Sequence, residues 1–157
     1  MSQLIKPAAI RKVFTVRGTP QKAFEVFTGG IDRWWPKQHH IGKSPLKKAV
    51  IEPSVGGRWY GLHDDGTESL WGDVLNWEPP DRVVLAWRIT SDWIYDPTLL
   101  TTVEARFIAL EGTETRVEFE HRDLERFGDS ESARRARDSM DGGWLKILES
   151  FKAVVEG

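Results

Sequence analysis

The sequence predicts an α+β fold: one strand, two short helices, about six further antiparallel strands and a long C-terminal helix held by the curved sheet. Two observations carry this prediction. Short segments alternate between apolar and polar residues and are separated by turns rich in Gly, Pro and Asp. The end of the chain instead repeats its apolar residues at helical spacing, so it can fill the concave face of such a sheet.

The predicted C-terminal helix runs from Ser139 to Glu156. Gly142 and Gly143 lie near its start, where each glycine costs about 1 kcal/mol relative to alanine. Either the helix begins near them, or their missing side chains leave room between helix and sheet, and we expect a pocket mouth at this end. The apolar stripe consists of Met140, Trp144, Ile147, Leu148, Phe151, Val154 and Val155.

The N-terminal part predicts a strand from Ala9 to Arg17 followed by two short helices. Thr19 is suited to cap the first helix because Pro20 fits the first helical position. Gly29-Gly30 ends that helix. A second short helical segment, from Asp32 to Pro36, contains two tryptophans.

The middle of the chain predicts the remaining strands, of which Ser69 to Glu78 alternates most clearly. That alternation places Trp71 and Asp73 on one face, and the last strand places His121 inward with Phe119. The predicted strands are Ala49 to Glu52, Gly57 to Leu62, Ser69 to Glu78, Val83 to Ile89, Leu100 to Leu110 and Thr115 to Arg122.

Composition excludes several classes of function. The 157 residues are 39% hydrophobic, which predicts a single domain over residues 1–157. A net charge of −2 with interspersed signs predicts no nucleic-acid partner, and no apolar run is long enough for a membrane span or a signal peptide. The absence of cysteine excludes disulfides and thiolate chemistry. We expect a cytoplasmic location.

Two histidine-containing segments are candidates for metal binding. His39-His40 has no third ligand at a suitable spacing, and His63-Asp64-Asp65 precedes a glycine as a hairpin turn does. We interpret both segments as polar loops, and we predict no metal and no cofactor.

Five segments in order resemble one known family: TPQKAFEVFTGGIDRWWP, GGRWY, WGDVLNWEPPDRVVLAW, TRVEFEHRDL and GWLKILESFKAVVE. The chain is similar to the helix-grip proteins of the Bet v 1/START-like superfamily, and within it to the C-terminal domain of the Hsp90 ATPase activator Aha1. The resemblance implies a seven-stranded antiparallel sheet wrapped around the C-terminal helix, with a cavity between them.

The leading functional prediction is a binding domain for a small, largely hydrophobic molecule held in that cavity. Asp73 and His121 are the polar groups expected to orient the ligand. The alternative is that side chains fill the interior and these two groups are satisfied by each other or by the backbone. The predicted cavity residues are Trp59, Trp71, Asp73, Leu75, Trp87, Phe107, Phe119, His121, Trp144 and Leu148.

Two other classes of function stay open. One is a cyclase- or hydrolase-like enzyme in which His121, next to Asp73, acts as general base. The other is protein interaction, as a homodimer through aromatic side chains such as Trp34, Trp93 or Tyr95, or with a chaperone. Aha1 has an additional N-terminal domain that this sequence lacks, so we do not expect chaperone activation.

Overall fold

The computed structural model describes residues 7–157, and it confirms the predicted fold class. Two α-helices, seven strands and two short 3-10 helices follow one another within these residues. They are β1 (Ile10–Arg17), α1 (Pro20–Phe27), a 3-10 helix (Ile31–Arg33), β2 (Leu46–Ile51), β3 (Arg58–His63), β4 (Glu68–Glu78), β5 (Arg82–Trp87), β6 (Thr101–Ala109), β7 (Glu114–Arg122), a second 3-10 helix (Leu124–Phe127) and α2 (Glu131–Glu156).

The seven strands form one antiparallel sheet in the order β1-β7-β6-β5-β4-β3-β2. Strands β2 to β7 are joined by consecutive connections, whereas β1 pairs with the last strand, with Ile10 opposite His121. The sheet curls, and its concave face holds the buried side of α2. This arrangement follows from the alternation, because each strand has one apolar face that must be covered.

Helix α1 begins as its sequence predicts. The Thr19 hydroxyl accepts a hydrogen bond from the backbone N–H of Lys22 at 3.1 Å, and Pro20 is the first helical residue. The following helical segment is shorter than predicted, since the 3-10 helix ends at Arg33. Trp34 and Trp35 lie just after it, and both are buried.

Strand β4 departs from simple alternation. Its pairing shifts from Trp59–Gly72 to Tyr60–Leu70, so Trp71 is an extra residue in a β-bulge. Beyond this bulge the two faces exchange. The prediction that Asp73 points inward with Trp71 is therefore wrong: Asp73 pairs with Ala86, on the outer, convex face.

Helix α2 is longer than the predicted segment, with 26 residues beginning at Glu131. The hydroxyl of Ser130 caps it by accepting a hydrogen bond from the N–H of Ala133 at 3.1 Å. The charged first two turns lie outside the predicted segment, because their buried residues, Ala133 and Ala136, are too small to form an apolar stripe. Gly142 and Gly143 consequently lie within the helix rather than at its start.

Phe151 of α2 lies at the centre of the core, with no exposed surface. Its ring contacts Phe27 at 5.5 Å, Trp34 at 5.4 Å and Phe14 at 6.2 Å between centroids. One side chain therefore connects α2 with α1, β1 and the segment after the first 3-10 helix.

We expect Phe151→Ala to lower the free energy of unfolding by about 3–5 kcal/mol, because it removes a ring from a site that cannot collapse around the space. Urea denaturation measures the change. Leu145→Ala is the control, since this residue of the same helix is 50% exposed and should cost about 1 kcal/mol or less. Similar losses for the two variants would contradict this description of the core.

Candidate ligand cavity

A cavity of about 320 Å³ opens between α2, the concave face of the sheet and two loops. Its volume lies at the small end of the range for ligand pockets, roughly 300–1,000 Å³. Most of its wall is aromatic or aliphatic. The lining residues are Trp35, Gln38, His39, His40, Ile41, Trp71, Trp87, Ile89, Trp93, Ser139, Met140, Gly143, Trp144 and Ile147.

Hydrogen bonds fix the orientation of three tryptophans in this wall. The indole N–H of Trp35 donates to the carbonyl of His39 at 2.8 Å, and that of Trp87 donates to the carbonyl of Ile89 at 3.0 Å. Trp144 donates to Nδ1 of His121 at 3.2 Å. Because each nitrogen is held, the rings present fixed apolar surfaces to the cavity.

Gly143 of α2 leaves open space at the cavity, whereas Gly142 faces solvent. A Cβ atom built on either Gly142 or Gly143 would meet no atom within 4 Å, and Gly143 lines the cavity. The sequence allowed two interpretations of these glycines. The structure agrees with room left by a missing side chain at Gly143, and it does not agree with a helix that starts here.

The turn formed by residues 90–94 places Trp93 at the edge of the cavity. Trp93 has a φ of 62° and is 48% exposed. Its backbone N–H donates to the carbonyl of Thr90 at 2.9 Å, and the N–H of Thr90 donates to the carbonyl of Ile94 at 2.8 Å. A left-handed conformation is unfavourable for a bulky residue, and such strained positions concentrate at functional sites.

The polar side chains of the cavity belong to one helix position and one loop. Ser139 comes from α2, and Gln38, His39 and His40 come from residues 38–41, here called the rim loop. The ring of His40 contacts that of His63 at 5.4 Å. Polar groups thus lie at the opening, and the interior is apolar.

His121 is fully buried and forms part of a closed hydrogen-bond chain. The Thr101 hydroxyl donates to the carbonyl of Trp87 at 2.9 Å, so it accepts from Nε2–H of His121 at 2.9 Å. Nδ1 accepts the indole N–H of Trp144. Burial lowers the pKa of His121 to about 3, against the opposing effect of Asp123. The imidazole is therefore neutral, and both of its nitrogens are occupied.

Asp73 takes no part in this chain of hydrogen bonds. Its carboxylate forms an ion pair with Arg88 at 2.6 Å on the convex face. Arg88 also donates to the backbone carbonyls of Pro97 and Leu99, both at 3.1 Å. Asp73 and His121 therefore do not form the predicted acid–base pair, because the bulge in β4 turns the carboxylate outward.

The other predicted cavity residues divide into two groups. Trp71, Trp87 and Trp144 line the cavity. Five others do not line it: Trp59, Phe107, Phe119 and Leu148 are buried in the core, and Leu75 is partly buried at the second irregularity of β4.

His63 is a second inward-pointing imidazole, which the sequence had suggested only as part of a polar turn. It is 1% exposed. Its Nδ1 lies 2.7 Å from the carbonyl of Ser44, and its Nε2 lies 2.7 Å from the hydroxyl of Ser69. A carbonyl only accepts, so Nδ1 carries a proton and donates it to Ser44. This pair attaches the segment after the rim loop to the sheet.

A second hollow, of about 390 Å³, lies on the convex face and is lined mainly by charged groups. At its centre Glu104 accepts hydrogen bonds from Arg82 at 2.7 Å and from Arg106 and Arg122 at 2.6 Å. Burial alone would raise the pKa of Glu104, but these arginines lower it to about 2. The carboxylate is a structural ion-pair centre, and nearby Val13 is 58% exposed.

Two kinds of site are not found in residues 7–157. No group of three or more His, Cys, Asp or Glu residues there is arranged to hold a metal ion. No helix in that range is long and apolar enough to cross a membrane.

The curled sheet, the enclosed C-terminal helix and the cavity between them define a helix-grip protein of the Bet v 1/START-like class. Residues 17–156 match the family described as Activator of Hsp90 ATPase homolog 1-like protein. The chain belongs to this family. A comparison of this chain with curated protein sequences found no match.

Two solved structures are similar in sequence as well as in fold. An anthrahydroquino-gamma-pyrone synthase, Txn09, is 35% identical, with 95% of this chain and 97% of that chain covered and a TM-score of 0.67. CalC, a self-sacrificing resistance protein from Micromonospora echinospora, is 31% identical, with 94% and 93% covered and a TM-score of 0.70.

A more distant structure shares the fold. The Aha1 dimer from Colwellia psychrerythraea is 17% identical, with 96% of this chain and 97% of that chain covered and a TM-score of 0.65. At this identity the likeness concerns architecture alone.

The buried neutral state of His121 makes stability depend on pH. Folding lowers the pKa from 6.5 to about 3, so between these values the unfolded chain binds a proton that the folded chain excludes. The contribution of His121 to stability is therefore fully present above about pH 6.5. We expect the free energy of unfolding to fall by about 1.4 kcal/mol per pH unit below that value.

Urea denaturation between about pH 7.5 and about pH 5 tests this dependence. Glu104 does not interfere, since its lowered pKa affects stability only below its ordinary value of 4.5. His121→Gln keeps a donor and an acceptor without titrating in this range, so its slope should be smaller by about 1.4 kcal/mol per unit. Equal slopes in the two proteins would show that His121 is not held neutral.

Proposed function

We propose that this protein binds a small, flat, largely hydrophobic aromatic molecule in the cavity between α2 and the sheet. The observation that carries the proposal is the concentration of indole rings in one small cavity. Its wall contains Trp35, Trp71, Trp87, Trp93 and Trp144.

The shape and stiffness of the cavity favour a rigid ring system over a flexible chain. Trp35 and Trp144 lie with ring centroids 5.8 Å apart at 74°, and Trp87 and Trp144 lie 6.0 Å apart at 64°. A planar ligand can meet one ring face and another ring edge at once, which is the preferred geometry for aromatic pairs. Little conformational entropy is lost when both partners are already rigid.

One of the two more similar solved structures supports an aromatic ligand. The 35% identical relative is a synthase for an anthrahydroquino-gamma-pyrone, which is a fused-ring compound. That relative matches this chain over nearly its whole length, which supports a related ligand class for the cavity between α2 and the sheet.

Catalysis on such a ligand is the second candidate, favoured by the similarity to the same synthase. The predicted pair of His121 and Asp73 is not available for it, since these groups lie apart and each has its own partners. The polar side chains at the cavity are Gln38, His39, His40 and Ser139. An enzyme would convert the bound ligand, whereas a binding protein would release it unchanged.

Protein partners remain separate predictions. Of the aromatic residues considered for a homodimer, Trp34 is buried and donates to the carbonyl of Val26, whereas Trp93 is exposed next to Ile94. A contact between copies would therefore involve the Trp93 turn and would compete with ligand entry. A cytoplasmic location and the absence of chaperone activation stay predictions beside the proposed function.

Gly143→Leu should block ligand binding, because the new side chain extends from a residue that lines the cavity into open space. We expect its dissociation constant for anthracene-2-sulfonate, measured by isothermal titration calorimetry, to rise at least about tenfold. The matched control is Gly142→Leu, whose neighbouring position does not line the cavity.

Both variants replace a helical glycine, and each should gain up to about 1 kcal/mol of helix stability. A loss of affinity confined to Gly143→Leu supports the proposed site. Unchanged affinity in Gly143→Leu, or equal losses in the two variants, would place binding elsewhere.

A further inference from the structure

One of the four polar side chains that line the cavity differs from the others in its exposure to solvent. Gln38, His39 and Ser139 are exposed, whereas His40 is half-buried. Water satisfies the hydrogen bonds of an exposed group whether or not a ligand is bound. The imidazole of His40 is therefore the polar group of this wall that a ligand would shield most from water.

The ring of His40 is held by the rim loop and by His63. Its Nδ1 lies 3.1 Å from the carbonyl oxygen of Ile41, and its ring packs edge-on against that of His63, with centroids 5.4 Å apart. His63 is itself fixed, because its two nitrogens each lie 2.7 Å from an oxygen, one of Ser44 and one of Ser69. A ring held in this way can orient a ligand.

The contact with Ile41 determines which nitrogen of His40 is free. A carbonyl oxygen only accepts, so Nδ1 carries a proton. In the neutral imidazole the other nitrogen, Nε2, is then an acceptor. Nε2 has no hydrogen-bond partner among residues 7–157. The cavity wall thus includes a half-buried acceptor with no partner in the described part of the chain.

The indole N–H groups of the inner wall are engaged within the protein. Trp35, Trp87 and Trp144 each donate to an acceptor of the chain. The nitrogen-bearing edge of the Trp71 ring packs against Gly61 of β3. These rings therefore offer apolar surface to a ligand, and a polar group of the ligand is better placed at His40.

We propose that His40 accepts a hydrogen bond from a phenolic hydroxyl group of the bound ligand, whose rings lie against the tryptophans. The inference rests on the proposed function and narrows it: the ligand is a hydroxylated aromatic compound rather than an aromatic hydrocarbon or ether. His40 is then a specificity-determining residue of the cavity.

The chemistry of the wall favours a hydroxyl group over other substituents. A ligand that fills the cavity removes water from His40, so an ether or a ketone, which only accepts, would leave Nε2 both dehydrated and unpaired. A phenolic hydroxyl donates to Nε2, and its oxygen can still accept from water at the opening. An ammonium group would lose far more hydration than one neutral nitrogen restores.

Two probes of the same ring system test this inference. 2-Naphthol and 2-methoxynaphthalene share the fused rings and the oxygen, but only 2-naphthol has a hydrogen to donate. We expect the wild-type protein to bind 2-naphthol at least about tenfold more tightly in fluorescence titrations, because only this probe satisfies Nε2. At about pH 8 an ordinary imidazole is mostly neutral and a phenol mostly protonated, so the titrations are made there.

His40→Phe and a matched control locate the source of this preference. His40→Phe keeps an aromatic ring and removes the acceptor, so the ratio of the two dissociation constants should fall to within about threefold. His39→Phe makes the same change at the neighbouring exposed position. It should retain the preference, because the hydrogen bond that joins His39 to Trp35 uses the backbone carbonyl.

The imidazole nitrogen signals of uniformly ¹⁵N-labelled wild-type protein provide a readout that needs no variant at His40. Of the Nε2 signals of the four histidines, one should move upfield with 2-naphthol and not with 2-methoxynaphthalene, as expected for an unprotonated nitrogen that gains a donor. The same signal should move in His39→Phe. These spectra decide the question even if His40→Phe does not fold.

The outcomes separate this inference from the proposed function. Equal affinities for the two probes, a preference that persists in His40→Phe, or imidazole signals that respond identically to both probes would overturn the hydroxyl inference and leave aromatic binding intact. Binding of neither naphthalene would also overturn it, and the proposed function would fall with it if anthracene-2-sulfonate failed to bind as well.

Discussion

The hydrogen bond from Trp144 to His121 is the interaction on which the arrangement of helix and sheet depends. The Trp144 ring packs against Phe119 of β7 with centroids 4.6 Å apart, while its nitrogen is held by the imidazole on the same strand. The imidazole is in turn fixed by Thr101 of β6. Helix α2 is therefore attached to the sheet by a polar contact within the core as well as by apolar packing.

This attachment explains why a cavity exists beside a densely packed core. Phe151, two turns further along α2, is fully buried between helix and sheet. On the other side of Trp144, Gly143 has no side chain, so the space beside it stays open as the cavity. The rim loop and the Trp93 turn form the outer wall of this cavity. The same helix thus closes the core at one end and opens a site at the other.

The sequence could predict the fold because each element has a strong local signal. The strand alternation, the Thr19-Pro20 helix start and the apolar stripe of α2 each persist in the structure. The first turns of α2 were missed, since Ala133 and Ala136 are small and lie among charged residues. The prediction of alternating faces in β4 failed beyond Trp71, because this single extra residue reverses the faces.

The site was harder to predict than the fold. Three aromatic wall residues were among those predicted, because large rings on inward-facing positions have few other places to go. The rim loop was not, since a polar segment with His39-His40 has the composition of an ordinary solvated loop. His121 was correctly placed inward, yet its partners depend on contacts between β6, β7 and α2 that no local pattern contains.

The proposed function requires the ligand to occupy the cavity beside Gly143 rather than the charged hollow on the convex face. Intermolecular nuclear Overhauser effects between anthracene-2-sulfonate and the ¹³C-labelled protein measure this directly. We expect contacts from the ligand ring protons to Gly143, Ile147 and Ile89, all of which line the cavity. Contacts to Val13 of the convex hollow, with none to Gly143, would contradict it.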